Sequence, residues 1–193
     1  MPKLAPFRQV SEYDVINLFA HATAVDLARG TLVKPSVGWK NTDEPVAEAG
    51  GPGAAYANTV SNRYATTAKV ATAGSGDAPL GMTLYDIKET DENGEKLIFN
   101  PRKAAEMQVV LSGQTVPIVT RGMFLYSGAT LAAQTPAVNT RLYCAANGEL
   151  TTGFAGAPLV NQVRVAIALG AKDTNDNVLI YLDCAAGGTI EKA

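Results

Sequence analysis

The chain has 193 residues, of which 47% are apolar and 18% are charged, and its 16 Lys and Arg against 18 Asp and Glu give a formal net charge of -2. This composition is typical of a globular protein, and it excludes a disordered or fibrous chain. The sequence contains no basic run, which argues against direct binding to the phosphate backbone of nucleic acids.

Residues 1–12 have mixed polarity and two prolines, without the apolar stretch of a signal peptide. The sequence also lacks an apolar run of about 18 residues, the length of a membrane span. We therefore expect a cytosolic protein with no membrane partner. We interpret residues 1–12 as an N-terminal arm that docks on a partner and whose removal leaves the stability of the domain nearly unchanged. Within this arm Phe7 and Arg8 are predicted to bind protein, because aromatic residues and Arg are enriched at interfaces.

The next part of the chain predicts short strands separated by breakers. Residues 13–21 (YDVINLFAH) are apolar on both alternating faces, which favours a buried strand, with a helical turn as the open alternative over so few residues. In the run that follows, Pro35 is expected at a strand end or on a sheet edge. Residues 41–63 have little periodicity and are interpreted as a long loop, and residues 64–74 predict a modest strand.

A hairpin-type turn and one helix are predicted in the middle of the chain. Asn93-Gly94 is the strongest local hairpin signal, because both residues tolerate positive φ, and it leads into a short strand at 96–100 (KLIFN). The sequence from Asn100 predicts one short helix, with Asn100 as its cap and Pro101 in its first position.

From residue 114 onward the pattern is almost entirely β. Short apolar runs lie between turn residues at spacings of about 10 to 15 residues, which is typical of an antiparallel sandwich or barrel. The runs are 114–120, 121–128, 140–152, 163–170 and 177–183. We predict a mainly β fold, an antiparallel β-sandwich or barrel that is jelly-roll-like or β-tulip-like, with one short helix and the N-terminal arm. Residues 13–193 are expected to form a single β-rich domain, alternatively built from two similar β-units, 13–99 and 114–183.

Residues able to carry out chemistry are few. His21 is the only histidine and is predicted to be a strand-end residue with a polar partner, since no nucleophile motif accompanies it. Cys144 and Cys184 are predicted to be buried free thiols, and whether they face one another on neighbouring strands stays open.

The acidic and glycine-rich stretches are predicted to be turns. The acids of 86–92, Asp86, Glu89, Asp91 and Glu92, do not have the spacing of a calcium loop and are expected at a solvated hairpin tip, as are the acids of 172–177. The glycine-rich stretches 49–55 and 73–79 lack the Lys-Ser/Thr ending of a phosphate loop. We therefore predict no catalytic residue, no metal site, no cofactor and no small-molecule substrate.

The order of β-signals from 114 to 183 resembles the capsid decoration (cement) proteins of tailed bacteriophages. The segments that carry the resemblance are Arg121–Phe124, Arg141–Tyr143, Asn147–Thr151, Val165–Leu169 and Val178–Leu182. The chain departs from that family in its first hundred residues, which exceed what a minimal decoration protein needs, and at Arg164, where members often carry Gly.

This resemblance implies a virion protein that is made in the host cytoplasm and attaches to the outer surface of the assembled capsid. Its implied partners are the major capsid protein and further copies of itself, as a homotrimer or alternatively a dimer. Two other functions stay open: another phage structural protein, such as a minor head or tail module, and a sugar-active jelly-roll enzyme. The enzyme would need two carboxylates on facing strands, whereas the acids here are predicted in turns.

Overall fold

The computed structural model describes residues 4–7, 10–22, 26–38, 68–153, 162–184 and 189–191. The predicted loop 41–63, the glycine-rich stretch 49–55 and Arg8 lie outside the described residues. Within them the fold is mainly β and its sheets are mostly antiparallel, as predicted. No helix of the described residues is long and apolar enough to cross a membrane.

The strands are short, and most contain two to seven residues. In chain order they are β1 (Leu4–Pro6), β2 (Val15–Ile16), β3 (Ala20–His21), β4 (Leu32–Val37), β5 (Lys69–Thr72), β6 (Gly81–Thr83), β7 (Asp86–Ile87), β8 (Val109–Val110), β9 (Ile118–Val119), β10 (Arg121–Tyr126), β11 (Arg141–Cys144), β12 (Leu150–Thr151), β13 (Gln162–Ala168), β14 (Val178–Asp183) and β15 (Thr189–Glu191). The helices are α1 (Pro101–Glu106) and α2 (Ala129–Ala132), and 3-10 turns lie at Glu12–Asp14, Leu97–Phe99 and Ala146–Gly148.

Two sheets contain most of these strands. The first sheet is seven-stranded, with the order β1-β10-β14-β13-β11-β12 and with β15 also paired to β13, and every pair in it is antiparallel. The second sheet is six-stranded, with the order β2-β9-β6-β4-β5-β3, and only its β3–β5 pair is parallel. β7 and β8 form a separate parallel pair.

One core joins the two sheets. Its main cluster contains Phe124 and Ile180 from the first sheet together with Leu32 and Met82 from the second sheet. In β14 buried and half-buried residues alternate along the strand, because successive side chains point to opposite faces of a sheet. The two sheets therefore form a sandwich around a shared apolar layer. β1 lies in the first sheet and β9 in the second, so the sheets do not separate the chain into halves, and internal duplication stays a prediction.

Several local predictions need correction. Residues 13–21 do not form one strand: a 3-10 turn at Glu12–Asp14 precedes the two-residue strands β2 and β3. The run KLIFN forms a 3-10 turn at Leu97–Phe99 in place of the predicted strand. The region 129–139, predicted as a turn, begins with helix α2, so the described chain has two short helices and not one.

Pro35 lies inside β4 and not at its end. The register between β4 and β5 shifts between Pro35 and Val37, and β6 pairs with β4 only at Leu32 and Val33. Beyond Val33 none of the described strands pairs with the β6 side of β4, which is therefore a sheet edge within the described residues. A residue without a backbone N–H is tolerated at such an edge or at a bulge, which is the environment that the sequence indicated.

The predicted hairpin near the end of the chain is confirmed. β13 and β14 pair from Ala166 with Leu182 to Ala168 with Ile180. In the exposed turn, one carboxylate oxygen of Asp173 accepts the backbone N–H groups of Asn175 and Asn177, both at 2.8 Å. The pKa of Asp173 is lowered. The largest cause is the hydrogen bond from the side chain of Asn177, and the two backbone hydrogen bonds lower the pKa further.

Candidate protein-binding surface

The N-terminal segment covers one edge of each sheet. β1 pairs with β10 at an edge of the first sheet, and β2 pairs with β9 at an edge of the second. Only Thr120 separates β9 from β10, so residues 118–126 pass directly from one sheet to the other. β1 and β2 therefore lie antiparallel to this crossing strand and cover an edge strand of each sheet.

Between its pairing in the first sheet and its pairing in the second, the N-terminal stretch contains more residues than the crossing strand does. Pro6 pairs with Phe124 and Val15 pairs with Val119, which leaves eight residues on the N-terminal side and four on the other. Two hydrogen bonds hold the described residues at the two ends of this surplus. The N–H of Phe7 donates to the carbonyl oxygen of Met123 at 3.1 Å, and the N–H of Thr120 donates to that of Asp14 at 2.8 Å.

Two aromatic side chains of this loop face solvent. Phe7 is 51% exposed and Tyr13 is 91% exposed, while Val10 between them packs against the main core. The hydroxyl of Ser11 accepts the N–H of Tyr13 at 3.3 Å and caps the 3-10 turn that carries it. We call Phe7 and Tyr13, with the loop that connects them, the N-terminal surface.

The structure describes one of the two predicted binding residues. Phe7 is exposed as expected, whereas Arg8 lies outside the described residues, and the binding role of both stays a prediction. Sequence reasoning missed Tyr13, which it placed within a strand. The signal was Ser11 followed three residues later by Asp14, a pattern typical of a capped turn.

The interpretation of residues 1–12 as an arm without ordering contacts is corrected for Leu4–Pro6. These residues form β1, and the side chain of Leu4 is only 3% exposed within the main core. The partner of Leu4 in the sheet is Tyr126, which is far away in the sequence. A local reading of residues 1–12 therefore had no means of finding the apolar contacts that order them.

A second cluster of exposed apolar residues lies beside α1. Ile98 is 64% exposed and Phe99 is 84% exposed. They adjoin a groove of about 400 Å³ whose apolar lining includes Leu97, Ile98, Pro101, Ala104, Ala105 and Val109. We call Ile98, Phe99 and the groove-facing residues of the helix, Pro101, Ala104 and Ala105, the α1 surface.

A buried ion pair fixes the opposite side of this helix. The carboxylate of Asp91 accepts the N–H groups of Asn93 and Glu95, both at 2.8 Å, and contacts the ammonium group of Lys103. The hydrogen bond from Lys103 is the largest cause of the lowered pKa of Asp91, and the same bond raises the pKa of Lys103. The expectation that the acids of 86–92 are solvated is wrong for Asp91, whose side chain is buried, because its charge is neutralised by this lysine.

Asp86 is also engaged in the fold. Its carboxylate accepts the backbone N–H of Arg29 at 2.7 Å and so connects β7 to the segment that precedes β4. Glu89, Glu92 and Glu95 lie on the surface, as predicted. No three His, Cys, Asp or Glu side chains among the described residues are grouped so that they could hold a metal ion.

Both cysteines and the only histidine are buried. Nε2 of His21 lies 3.1 Å from the hydroxyl of Thr72, which confirms the predicted polar partner, and burial lowers the pKa of His21. Cys144 and Cys184 are free buried thiols, as predicted. Burial is the largest cause that raises the pKa of each to about 12, and charge repulsion from Asp183 and then from Cys144 adds smaller increases for Cys184. At neutral pH these thiols are protonated and therefore poor nucleophiles.

No family model matches this chain. No curated protein shows significant similarity to it, and no solved structure does either.

Proposed function

We propose that this protein is a phage structural protein that binds the outer surface of the assembled capsid, contacts the major capsid protein and stabilises the shell. The observation that carries the proposal is the N-terminal surface, where Phe7 and Tyr13 are exposed on a loop fixed at both ends. The resemblance of residues 114–183 to capsid decoration proteins supports the same role.

The geometry of the loop suits tight contact with another protein. Phe7 and Asp14 are hydrogen-bonded through their backbones to Met123 and Thr120, which restrains the backbone beside each aromatic side chain before a partner binds. Rigid aromatic side chains are frequent hot spots at interfaces. Phe7 and Tyr13 therefore supply two apolar anchors on a pre-ordered support.

Stabilisation of the shell follows from mass action. A protein that binds the assembled lattice and not free capsid subunits lowers the free energy of the assembled state alone. Simultaneous contact with several neighbouring subunits would increase the avidity of such a protein without strong single contacts.

The state of the titratable side chains also favours adhesion over sugar chemistry. Asp91 is paired with Lys103, and Asp86 accepts a backbone N–H. A glycosidase uses two carboxylates that flank an open substrate site, one of them as a general acid. Asp91 and Asp86 instead hold the fold together, so these two acids do not form such a pair.

Sedimentation with undecorated capsids tests the proposal. We expect the wild-type chain to co-sediment with expanded capsids of the phage that encodes it and to protect them against heat. The double variant Phe7→Ser/Tyr13→Ser should bind about 30-fold more weakly or worse, the loss typical of hot-spot aromatics. The control Val138→Ser, at a residue that is 70% exposed and outside the N-terminal surface, should bind as the wild type does.

Four results would contradict this function. Two of them come from sedimentation: a wild-type chain that stays in the supernatant, and a double variant that binds as tightly as the control. Labelling of phage particles by electron microscopy could instead place the protein on the tail, which would indicate the other structural role. Turnover of a polysaccharide by the purified chain would indicate the enzyme.

A further inference from the structure

We infer that Asn93 is a site of spontaneous covalent modification, at which the side-chain amide is lost and aspartate or isoaspartate forms, and that the fold protects Asn147 from the same reaction. The sequence contains Asn-Gly at these two positions only. The inference is independent of capsid binding, because neither residue belongs to the N-terminal surface.

The reaction needs only water and the backbone. The deprotonated amide nitrogen of the residue after Asn attacks the side-chain Cγ, a new N–C bond closes a succinimide ring, and the side-chain nitrogen leaves as ammonia. Water then opens the ring at either carbonyl and yields aspartate or isoaspartate. The net change is the hydrolysis of an amide, without oxidation or reduction. A glycine after Asn favours the attack, because it has no Cβ to obstruct ring closure.

The turn at Asn93 leaves the attacking nitrogen free to move. Asn93 and Gly94 are both exposed, and a Cβ atom added at Gly94 would have no heavy atom within 4 Å. The N–H of Gly94 donates to the carbonyl oxygen of Asp91 at 3.2 Å, a long hydrogen bond at the tip of a hairpin. Exposed turns of this kind open locally at little cost in free energy, and opening releases this N–H for the reaction.

The same dipeptide is immobilised at Asn147. Asn147 is exposed, but Gly148 is buried, and a Cβ atom there would lie 2.7 Å from the carbonyl oxygen of Leu32 in β4. The N–H of Ala145 donates to the carbonyl oxygen of Glu149 at 2.8 Å and closes the segment around the pair. Ring closure must move the Gly148 nitrogen toward the Asn147 side chain, and the backbone of β4 packed against Gly148 opposes this movement.

Modification of Asn93 alters the turn that anchors α1. Isoaspartate adds a methylene to the backbone before Gly94, and both products add a negative charge. The N–H of Glu95 donates to the carboxylate of Asp91 at 2.8 Å, and that carboxylate contacts Lys103 of α1. We therefore expect isoaspartate, which displaces the N–H of Glu95, to weaken the attachment of α1.

Peptide mapping of the full chain tests the inference. The native protein is incubated in mildly alkaline buffer, which favours loss of the amide proton, and is then denatured and digested at mildly acidic pH to stop the reaction. Trypsin releases the two asparagines in separate peptides, 89–96 and 142–164, and fragmentation locates the change within each. Asn93 should gain the mass difference between an amide and an acid about 10-fold or more faster than Asn147, because only the exposed turn opens readily.

Denaturation separates the effect of the fold from that of the sequence. In guanidinium chloride the two Asn-Gly pairs lose their different surroundings, so both peptides should be modified at similar rates. The variant Asn93→Gln should abolish modification of peptide 89–96, because the longer side chain must close a larger ring.

Two results would overturn the assignment of the site. One is an Asn93 peptide that stays unmodified in the native chain while the denatured chain is converted. The other is an Asn147 peptide that reacts as fast as the Asn93 peptide in the native chain.

Guanidinium unfolding tests the effect on the turn. Chains that carry isoaspartate, isolated by ion exchange, should unfold at a lower guanidinium concentration than the variant Asn93→Asp, which has the added charge without the extra methylene. Equal midpoints would contradict the weakened attachment of α1.

Discussion

Asp91 shows how the environment of one residue changes the meaning of a sequence pattern. The turn around Asn93-Gly94 was predictable, because Gly94 adopts positive φ and the backbone of Asp91 pairs with that of Glu95. The burial of the Asp91 carboxylate was not predictable. Its partner Lys103 lies on a separate element, and residue type alone places an acid in such a turn in solvent.

Gly81 is a position where the approach of a neighbouring strand excludes any side chain. A Cβ atom there would collide with the carbonyl oxygen of Val119 and would lie 2.8 Å from Cγ2 of Ile118. We expect Gly81→Ala to lower the free energy of unfolding by about 1–3 kcal/mol, the usual cost of overpacking. Urea unfolding followed by circular dichroism measures this change.

Gly170 provides the matched control. A Cβ atom at this glycine has no heavy atom within 4 Å, so Gly170→Ala should change the free energy of unfolding by about 0.5 kcal/mol or less. Equal effects of the two substitutions would contradict the close approach of β9 to Gly81.

At the scale of elements, the sequence predicted best where the local pattern and the tertiary contacts agree. β13 and β14 were predictable from the sequence because each is a run of mostly apolar residues bounded by turn residues. Helix α1 begins at Pro101, as expected. Asn100 occupies the N-cap position, but its side chain accepts no hydrogen bond from the first turn, so the position was predicted correctly and the capping role was not. Two-residue strands such as β2 and β9 exist only through their pairing, and no local pattern of that length identifies them.

β1 is also a short strand that depends on its pairing with a distant strand, and its contribution to the free energy of unfolding is measurable. Leu4 is buried in the main core, so Leu4→Ala should lower the free energy of unfolding by about 2–4 kcal/mol. The neighbouring Ala5 is exposed, and Ala5→Ser should change it by about 0.5 kcal/mol or less. Both values follow from chemical denaturation.

Removal of residues 1–12 should cost at least as much as Leu4→Ala, because it also uncovers the edge of β10. The sequence alone led to the opposite expectation, an arm whose loss leaves stability nearly unchanged. A truncated chain with wild-type stability would show that β1 contributes little to the folded state.

At the scale of the whole molecule, the shared core implies cooperative unfolding. The main apolar cluster contains Cys144 and Cys184 together with residues of both sheets. Both thiols are buried, and burial raises their pKa to about 12. We expect neither thiol to react with a disulfide reagent under native conditions, and both to react along the same denaturant transition that circular dichroism reports.

Two observations would contradict a single cooperative unit. The first is fast reaction of one thiol in the native protein. The second is that the two thiols become reactive at clearly different denaturant concentrations. Of the N-terminal surface, the sequence predicted Phe7 and missed Tyr13. Phe7 was identified from its residue type, but the exposure of Tyr13 depends on the pairing of the crossing strand.

That crossing strand also sets the order in which a nascent chain can mature. Thr120 donates a hydrogen bond to Asp14 although 106 positions of sequence separate the two residues. β1 pairs with β10, at a still larger separation in the sequence. On the ribosome, residues 4–16 emerge long before residues 118–126 exist to receive them. The aromatic loop therefore gains its fixed ends only late in synthesis, so a partially translated chain would expose Phe7 and Tyr13 without the support that a binding partner needs.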